Sequence, residues 1–332
     1  MSQTTHATLS PSKAARWLAC PGSVREEARY PDEPSGPAAA DGTHSHTLLE
    51  HCIKGNGDPL KMIGVKLKDH EGEFTVDAER AARVRLALDY VNKQRGAFGT
   101  VHAERRVSPA YLLGRTDLDG TCDVTIHTHD ELEIVDYKDG MNEVSATDNP
   151  QLELYALGVM AGLKLPINGA WPFATVRMTI IQPKLALRGG TPISSSVVTV
   201  QEMVGKIGKF VVGAAATDAP DAPLVSGAHC KYCKHKSCAT RAQDTMKEVG
   251  MMFPTVSETV TVNPVTELSQ QAADLDPNTM SADKIAQIML AAPLVRQMIE
   301  AVEEEALRRL KTGGKIPGLK VVHGRGSRSW AL

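Results

Sequence analysis

The stretch that decides the fold is GTCDVTIHTHDELEIVDYKDG, residues 120–140, followed by MNEVSATDNPQLELYALG, residues 141–158. Two runs of β-branched and apolar residues, 121–128 and 131–138, flank His129-Asp130. Such runs around a tight turn predict a β-hairpin. With a two-residue turn, Asp123 stands directly across from Asp136. Cross-strand partners share a face with Cβ atoms about 4.5–5.5 Å apart, and Lys138 shares it too because strand side chains alternate. Facing carboxylates repel, so two acids beside one lysine need a partner. A divalent cation that favours oxygen ligands, Mg2+ or Mn2+, supplies one, and the lysine can then hold an attacking water or stabilise charge on a phosphate. An ordinary surface ion pair between Asp136 and Lys138 is the alternative.

Downstream, Asn149-Pro150 marks a helix start, with asparagine as N-cap and proline at the first helical position. The four-residue interval sets Gln151 and Tyr155 on one helix face. The ordered set Gly120-x-x-Asp123, Asp136-x-Lys138 and Gln151-x-x-x-Tyr155 resembles the PD-(D/E)XK nuclease superfamily, specifically its RecB-like branch. The resemblance covers roughly Ser10 to Cys238 and is nearest to a phage-borne group. It implies an α/β fold with a central mixed β-sheet flanked by helices, the restriction-endonuclease-like core. It also implies a Mg2+- or Mn2+-dependent deoxyribonuclease, an exonuclease processing DNA ends in phage replication or recombination. Under the resemblance, Asp123, Asp136, Lys138, Gln151 and Tyr155 are catalytic. His46, Asp123, Asp136 and the backbone carbonyl of Tyr137 would hold the metal. Lys138 would orient the nucleophilic water, and Gln151 with Tyr155 would position the DNA strand or Lys138 itself.

Upstream, a helix is expected from about Ala38 to Ile53, with Leu48, Leu49 and Ile53 packing and His46 and Glu50 on one face. RecB-like nucleases place a metal-site histidine on an early helix. His46 matches, His44 is the competing register, and a solvated helix histidine is the alternative. Residues 76–92 predict a second amphipathic helix through Val84, Leu88 and Val91, whose Arg80, Arg83 and Arg85 read as a solvated basic face. Residues 100–107 predict a strand on which Glu104 reads as an exposed glutamate more readily than as a further site acid. Ser10-Pro11 opens a short helix through Trp17 that stops at Cys20-Pro21-Gly22.

Further strands are expected at 174–181 and 193–200, and a helix at 200–215. Between the strands, Gln182-Pro183-Lys184 is similar to turns in phage-borne relatives, which makes Gln182 and Lys184 candidate DNA contacts. Cys230, Cys233 and Cys238 lie in a short polar loop with no core to fill, so they read as metal ligands. The family pattern of one early and three late cysteines implies a 4Fe-4S cluster on Cys20, Cys230, Cys233 and Cys238. Zinc held by three of these with His229 or His235 is the alternative. Lys231, Lys234 and Lys236 make the same loop basic and suit phosphate contact. The expected organisation is a nuclease domain with its iron–sulfur clamp at 1–245, a linker at 246–280, and a helical, basic C-terminal extension at 281–332, its helix interrupted near Pro293.

A chain of 332 residues is long enough for a sizeable core. Its formal net charge of −2 excludes a global basic signal, so attraction to nucleic acid must come from local patches. No run approaches the roughly 18 apolar residues of a membrane span. A cytoplasmic location in a bacterial host cell is expected, with DNA as partner and no membrane. A phage single-strand-binding, annealing or replication protein is a further expected partner. Two other readings stand beside the nuclease: a catalytically silent DNA-binding or scaffolding module of the same fold, and a zinc-stapled protein unrelated to nucleases.

Overall fold

The computed structural model describes residues 8–31, 34–236, 238–244, 281–317, 319 and 321. The expected linker 246–280 and the tail residues Lys320, Arg325 and Arg328 lie outside them. The chain divides into two compact units, Met1–Pro223 and Leu224–Leu332. The division therefore falls ahead of the cysteine triplet, whereas the sequence reading placed it after residue 245. Within the second unit Arg241 hydrogen-bonds Gln297, tying the segment after the triplet to the long helix Ala282–Lys311. That helix runs on through Pro293 where an interruption was expected. The proline removes one backbone donor without ending the helix.

In the first unit, α1 (Ala14–Ala19) and α2 (Ser23–Glu27) precede α3 (Pro37–Gly55). A small hairpin of β1 (Lys66–Lys68) and β2 (Glu73–Thr75) leads into α4 (Ala78–Arg95). Then come β3 (Thr100–Val107), α5 (Ala110–Leu113), β4 (Gly120–His127), β5 (Glu131–Tyr137) and α6 (Pro150–Gly162). The unit closes with β6 (Thr175–Ile181), β7 (Ile193–Thr199), α7 (Val200–Gly205) and α8 (Ile207–Ala216).

Five strands form one mixed sheet in the order β3-β4-β5-β6-β7, flanked by helices; β5 and β6 run parallel and the other neighbours antiparallel. The central hairpin has the expected register. Val124 pairs with Val135 and His127 with Leu132, and the Thr128 amide donates to the Glu131 carbonyl at 3.0 Å across the His129-Asp130 turn. A parallel pair cannot be joined by a tight turn. The crossover from β5 to β6 contains α6, whose start is fixed as the sequence suggests: the Asn149 side chain accepts from the Gln151 and Leu152 amides, and Pro150 needs no acceptor. Such a cap stabilises a helix by about 1 kcal/mol.

The two faces of the sheet carry separate cores. On one, Leu132, Ile134, Val176, Met178 and Ile180 pack with the almost wholly buried α6, which is covered in turn by Trp17, Leu112 and Phe210. On the other, Val124, Ile126, Val135 and Tyr137 pack with Leu48 and Leu49 of α3 and Val84 and Leu88 of α4. Ser10 does not cap by its side chain; its carbonyl accepts the Trp17 indole N–H at 3.1 Å instead. That contact brings the N-terminal turn Pro11–Lys13 close to α6, where Gly120 is squeezed. A Cβ on Gly120 would lie 2.8 Å from Pro11 Cδ and 3.2 Å from Tyr155 Cε1. The first residue of the Gly120-x-x-Asp123 element is thus required sterically. Gly120→Ala should destabilise the chain by about 1–3 kcal/mol, the range for overpacking. A denaturant midpoint unchanged from wild type would refute the close packing.

Candidate functional site

The strand registers bring three acids into one row. Ala103 pairs with Val124 and Arg105 with Cys122, while Val124 pairs with Val135, so Glu104, Asp123 and Asp136 lie side by side across β3, β4 and β5. The Glu104–Asp123 and Asp123–Asp136 positions are missing from both antiparallel ladders. Glu104 has φ of 50°, a left-handed conformation that costs a non-glycine residue on the order of 1–3 kcal/mol. Packing also switches sides here. Cys122 joins the α6-side core and Val124 the α3/α4-side core, although residues two apart share a face in a regular strand. Freed from its ladder position, Asp123 accepts the Tyr137 amide on Oδ2 at 2.7 Å.

Helix α3 delivers the imidazole. His46 Nδ1 lies 3.5 Å from Asp123 Oδ2 and 3.9 Å from Glu104 Oε1, and its ring stands edge-on to Tyr137 at 5.4 Å. His46, Glu104 and Asp123 offer ligand atoms all within 4.8 Å of one another, all three being partly exposed. His44 is engaged elsewhere, its Nδ1 2.7 Å from Asp69 Oδ2 and its ring stacked on Phe74. Of the two histidine registers, it is therefore His46 that reaches the acid row.

Behind this group Asp136 is buried. Gln151 Nε2 donates to Asp136 Oδ1 at 2.8 Å and to the Tyr155 hydroxyl at 3.3 Å, while Gln151 Oε1 receives Lys138 Nζ at 3.4 Å. Lys138 Nζ lies 2.8 Å from Asp136 Oδ2 as an ion pair, yet that buried oxygen accepts no well-aligned hydrogen bond. Burial raises the Asp136 pKa above the usual carboxylate range; Lys138 opposes this and Asp123 adds to it. Burial acts against the Lys138 ammonium, but Asp136 and Asp123 outweigh it and hold its pKa above the ordinary lysine value. Lys138 is thus a cation at neutral pH. Glu104 is pushed up to about 7 by burial, with Asp123 adding and His46 opposing.

An imidazole and carboxylates in one cluster are the donor set that Mg2+ or Mn2+ accepts. The residues fit such an ion, with one change from the expected set. Glu104 stands in the three-ligand group, and Asp136 is drawn to Lys138 and Gln151 instead. Of Tyr137, expected to contribute its carbonyl, the amide is what binds Asp123.

Other expectations fare differently. Gln182 is buried and its amide holds the loop after β5, accepting the Val144 amide at 2.8 Å and donating to the Asn142 carbonyl at 2.9 Å. Lys184 is paired with Asp41 at 2.9 Å and Asp139 at 3.5 Å. Both side chains have internal partners. The expected basic face of α4 is divided: Arg80 and Arg83 are tucked against Asp41, and Arg83 against Asp139, while Arg85 stays partly exposed beside Asp58 and Asp89. Cys20 belongs to the first unit, while Cys230, Cys233 and Cys238, with Lys231, Lys234 and Lys236, belong to the second. Among the described residues no cysteine joins a group of three convergent ligands, so no geometry carries the iron–sulfur clamp. Cys52 and Cys122 are buried thiols.

Residues 6–332 match the family described as "Protein of unknown function (DUF2800)". The chain belongs to the DUF2800 family. This DUF2800 chain is also similar to a solved structure described as "Crystal structure of SSO0001", at 15% identity over 72% of this chain and 89% of that one, with a TM-score of 0.36. A likeness that slight carries no argument about fold or activity. No described helix of this DUF2800 chain is long and apolar enough to cross a membrane.

Glu104 gives the site a pH signature in the metal-free chain. Between the ordinary glutamate pKa of 4.5 and about 7, the folded chain holds a proton that the unfolded chain has released. Stability therefore falls as pH rises through that window. Glu104→Gln, studied in EDTA, should flatten this decline and raise stability at pH 8 by about 1–3 kcal/mol. Denaturant titrations from pH 4 to 9 measure it, and a slope identical to wild type would contradict the burial of that carboxyl.

Proposed function

We propose that this chain is a Mg2+- or Mn2+-dependent deoxyribonuclease of the RecB-like PD-(D/E)XK kind, hydrolysing phosphodiester bonds, with DNA ends as its substrate. The single observation that supports this most is the meeting of the acid row with a charged lysine: His46, Glu104 and Asp123 on one side, Asp136 with Lys138 on the other.

His46, Glu104 and Asp123 are the residues that would hold the ion, and the Asp136 carboxylate lies close enough for its charge to be felt by Asp123 and His46. When bound, such an ion lowers the pKa of a coordinated water and polarises a phosphoryl oxygen. Lys138, kept cationic by its acidic neighbours, supplies fixed positive charge for the negative charge that develops on a phosphate under attack. A lysine held in this state donates hydrogen bonds and orients a water; it does not remove a proton. Gln151 bridges Asp136 and Lys138 with its two amide atoms, so neither side chain rotates without breaking a hydrogen bond. Tyr155 receives the second amide hydrogen and fixes the amide plane.

Incubation of the full chain with end-labelled linear and circular DNA, with and without Mn2+, tests the reading. Lys138→Ala should slow cleavage by about 10²- to 10³-fold, the scale of a lost charge-stabilising donor, while DNA binding persists. No cleavage by wild type under any metal condition would leave a catalytically silent DNA-binding module in its place. The cysteine spacing separately proposes a 4Fe-4S cluster or zinc in the anaerobically purified chain. Visible sulfur-to-iron absorption with bound iron supports the cluster; a colourless chain containing zinc supports the alternative, and neither metal removes both.

A further inference from the structure

Next to the lysine of the proposed centre lies a carboxylate with an unusual number of partners. Asp139 is nearly inaccessible, and Arg83 pairs with it, Nη2 donating to Oδ2 at 3.1 Å and Nε lying 2.9 Å from Oδ1. The Ser45 hydroxyl donates to Oδ2 at 2.8 Å, the Tyr137 hydroxyl donates to Oδ1 at 3.3 Å, and Lys184 Nζ is 3.5 Å from Oδ2. These partners come from α3, α4, the end of β5 and the turn after β6. Four separate segments are pinned at one point.

Two of the partners bear on His46 itself. Ser45 precedes it on α3, and Tyr137 presents the ring against which the His46 imidazole stands edge-on. Buried ion pairs stabilise a fold only weakly, because the desolvation of both charges offsets their attraction. What they can do is select one arrangement of the segments they join, and groups that orient a metal ligand tune affinity without touching the ion.

We infer that Asp139 is a positioning residue: through Ser45 and the Tyr137 hydroxyl it holds the His46 imidazole at Asp123 and Glu104, and so sets the affinity of the site for a divalent cation. This rests on the metal-site reading proposed above. Asp139→Asn is a practicable variant because Arg83 and Lys184 keep Asp41 as a counter-ion. Ser45→Ala removes a single hydroxyl from the same network.

The test is the dissociation constant for Mn2+ alone, measured on the full chain by calorimetry and by electron paramagnetic resonance of free Mn2+, beside the Tm of each variant. Asp139→Asn should weaken Mn2+ binding about 10- to 100-fold, and Ser45→Ala should weaken it in the same direction. Glu27→Gln breaks another buried ion pair, with Arg16 on α1, and should lower Tm while leaving Mn2+ affinity as in wild type. If His46→Ala weakens binding but Asp139→Asn and Ser45→Ala match wild type, the network is structural only and the inference falls. If wild type binds no Mn2+, or His46→Ala binds it equally well, the metal site itself is wrong and the inference goes with it.

Discussion

Crowding of negative charge at one row of the sheet is the constraint on which the rest of the first unit depends. Glu104, Asp123 and Asp136 are neighbours on three successive strands. A regular sheet would hold like charges opposite one another, which destabilises it. The chain relieves this by leaving the row out of both ladders: Glu104 turns left-handed, Asp123 takes the Tyr137 amide, and Asp136 retreats inward to Lys138 and Gln151. Burial raises the pKa values of Glu104 and Asp136, and the Asp123 charge adds to the rise in both. The divalent cation proposed for this site would neutralise part of that charge.

Elements on both faces of the sheet serve that row. From one side α6 supplies Gln151 and Tyr155, and its deep burial makes it a rigid platform for them. From the other, α3 supplies His46, and the ion-paired cluster of Asp41, Arg80, Arg83, Asp139 and Lys184 joins α3 to α4 and to the ends of β5 and β6. Asp41 illustrates the balance within the cluster. Burial alone would raise its pKa, yet hydrogen bonds from Lys184 and Arg80 bring it down to about 2.

Much of this was legible beforehand where the signal is local. The hairpin register follows from a two-residue turn between alternating runs. Asn149-Pro150 announces α6 by capping chemistry, and the four-residue interval puts Gln151 and Tyr155 together. His46 and His44 were both plausible on α3, and only the contact of His44 with Asp69 and Phe74 separates them. Glu104 was harder. The connection from β3 to β4 spans residues 108–119 and includes α5, so it is no tight turn and sets no readable register; the strand alone looks like one with an exposed glutamate. The internal partners of Lys184, Gln182, Arg80 and Arg83 were illegible for a related reason, since polar side chains look solvated until their partners are found.

By itself the sequence determined the local elements and the intervals within them: the central hairpin with Asp123 opposite Asp136, the lysine two residues on, the capped helix with Gln151 and Tyr155, and an early helix carrying His44 and His46. These depend on backbone preferences and side-chain periodicity, which act over a few residues. Only the tertiary structure decided that β6 lies parallel beside β5, that Glu104 completes the acid row, that His46 rather than His44 faces it, and that Asp139 ties α3 to the strand end. Each of these sets together residues dozens of positions apart, and such pairings follow from which faces bury together and which buried charges find counter-ions, quantities that no short window of sequence contains.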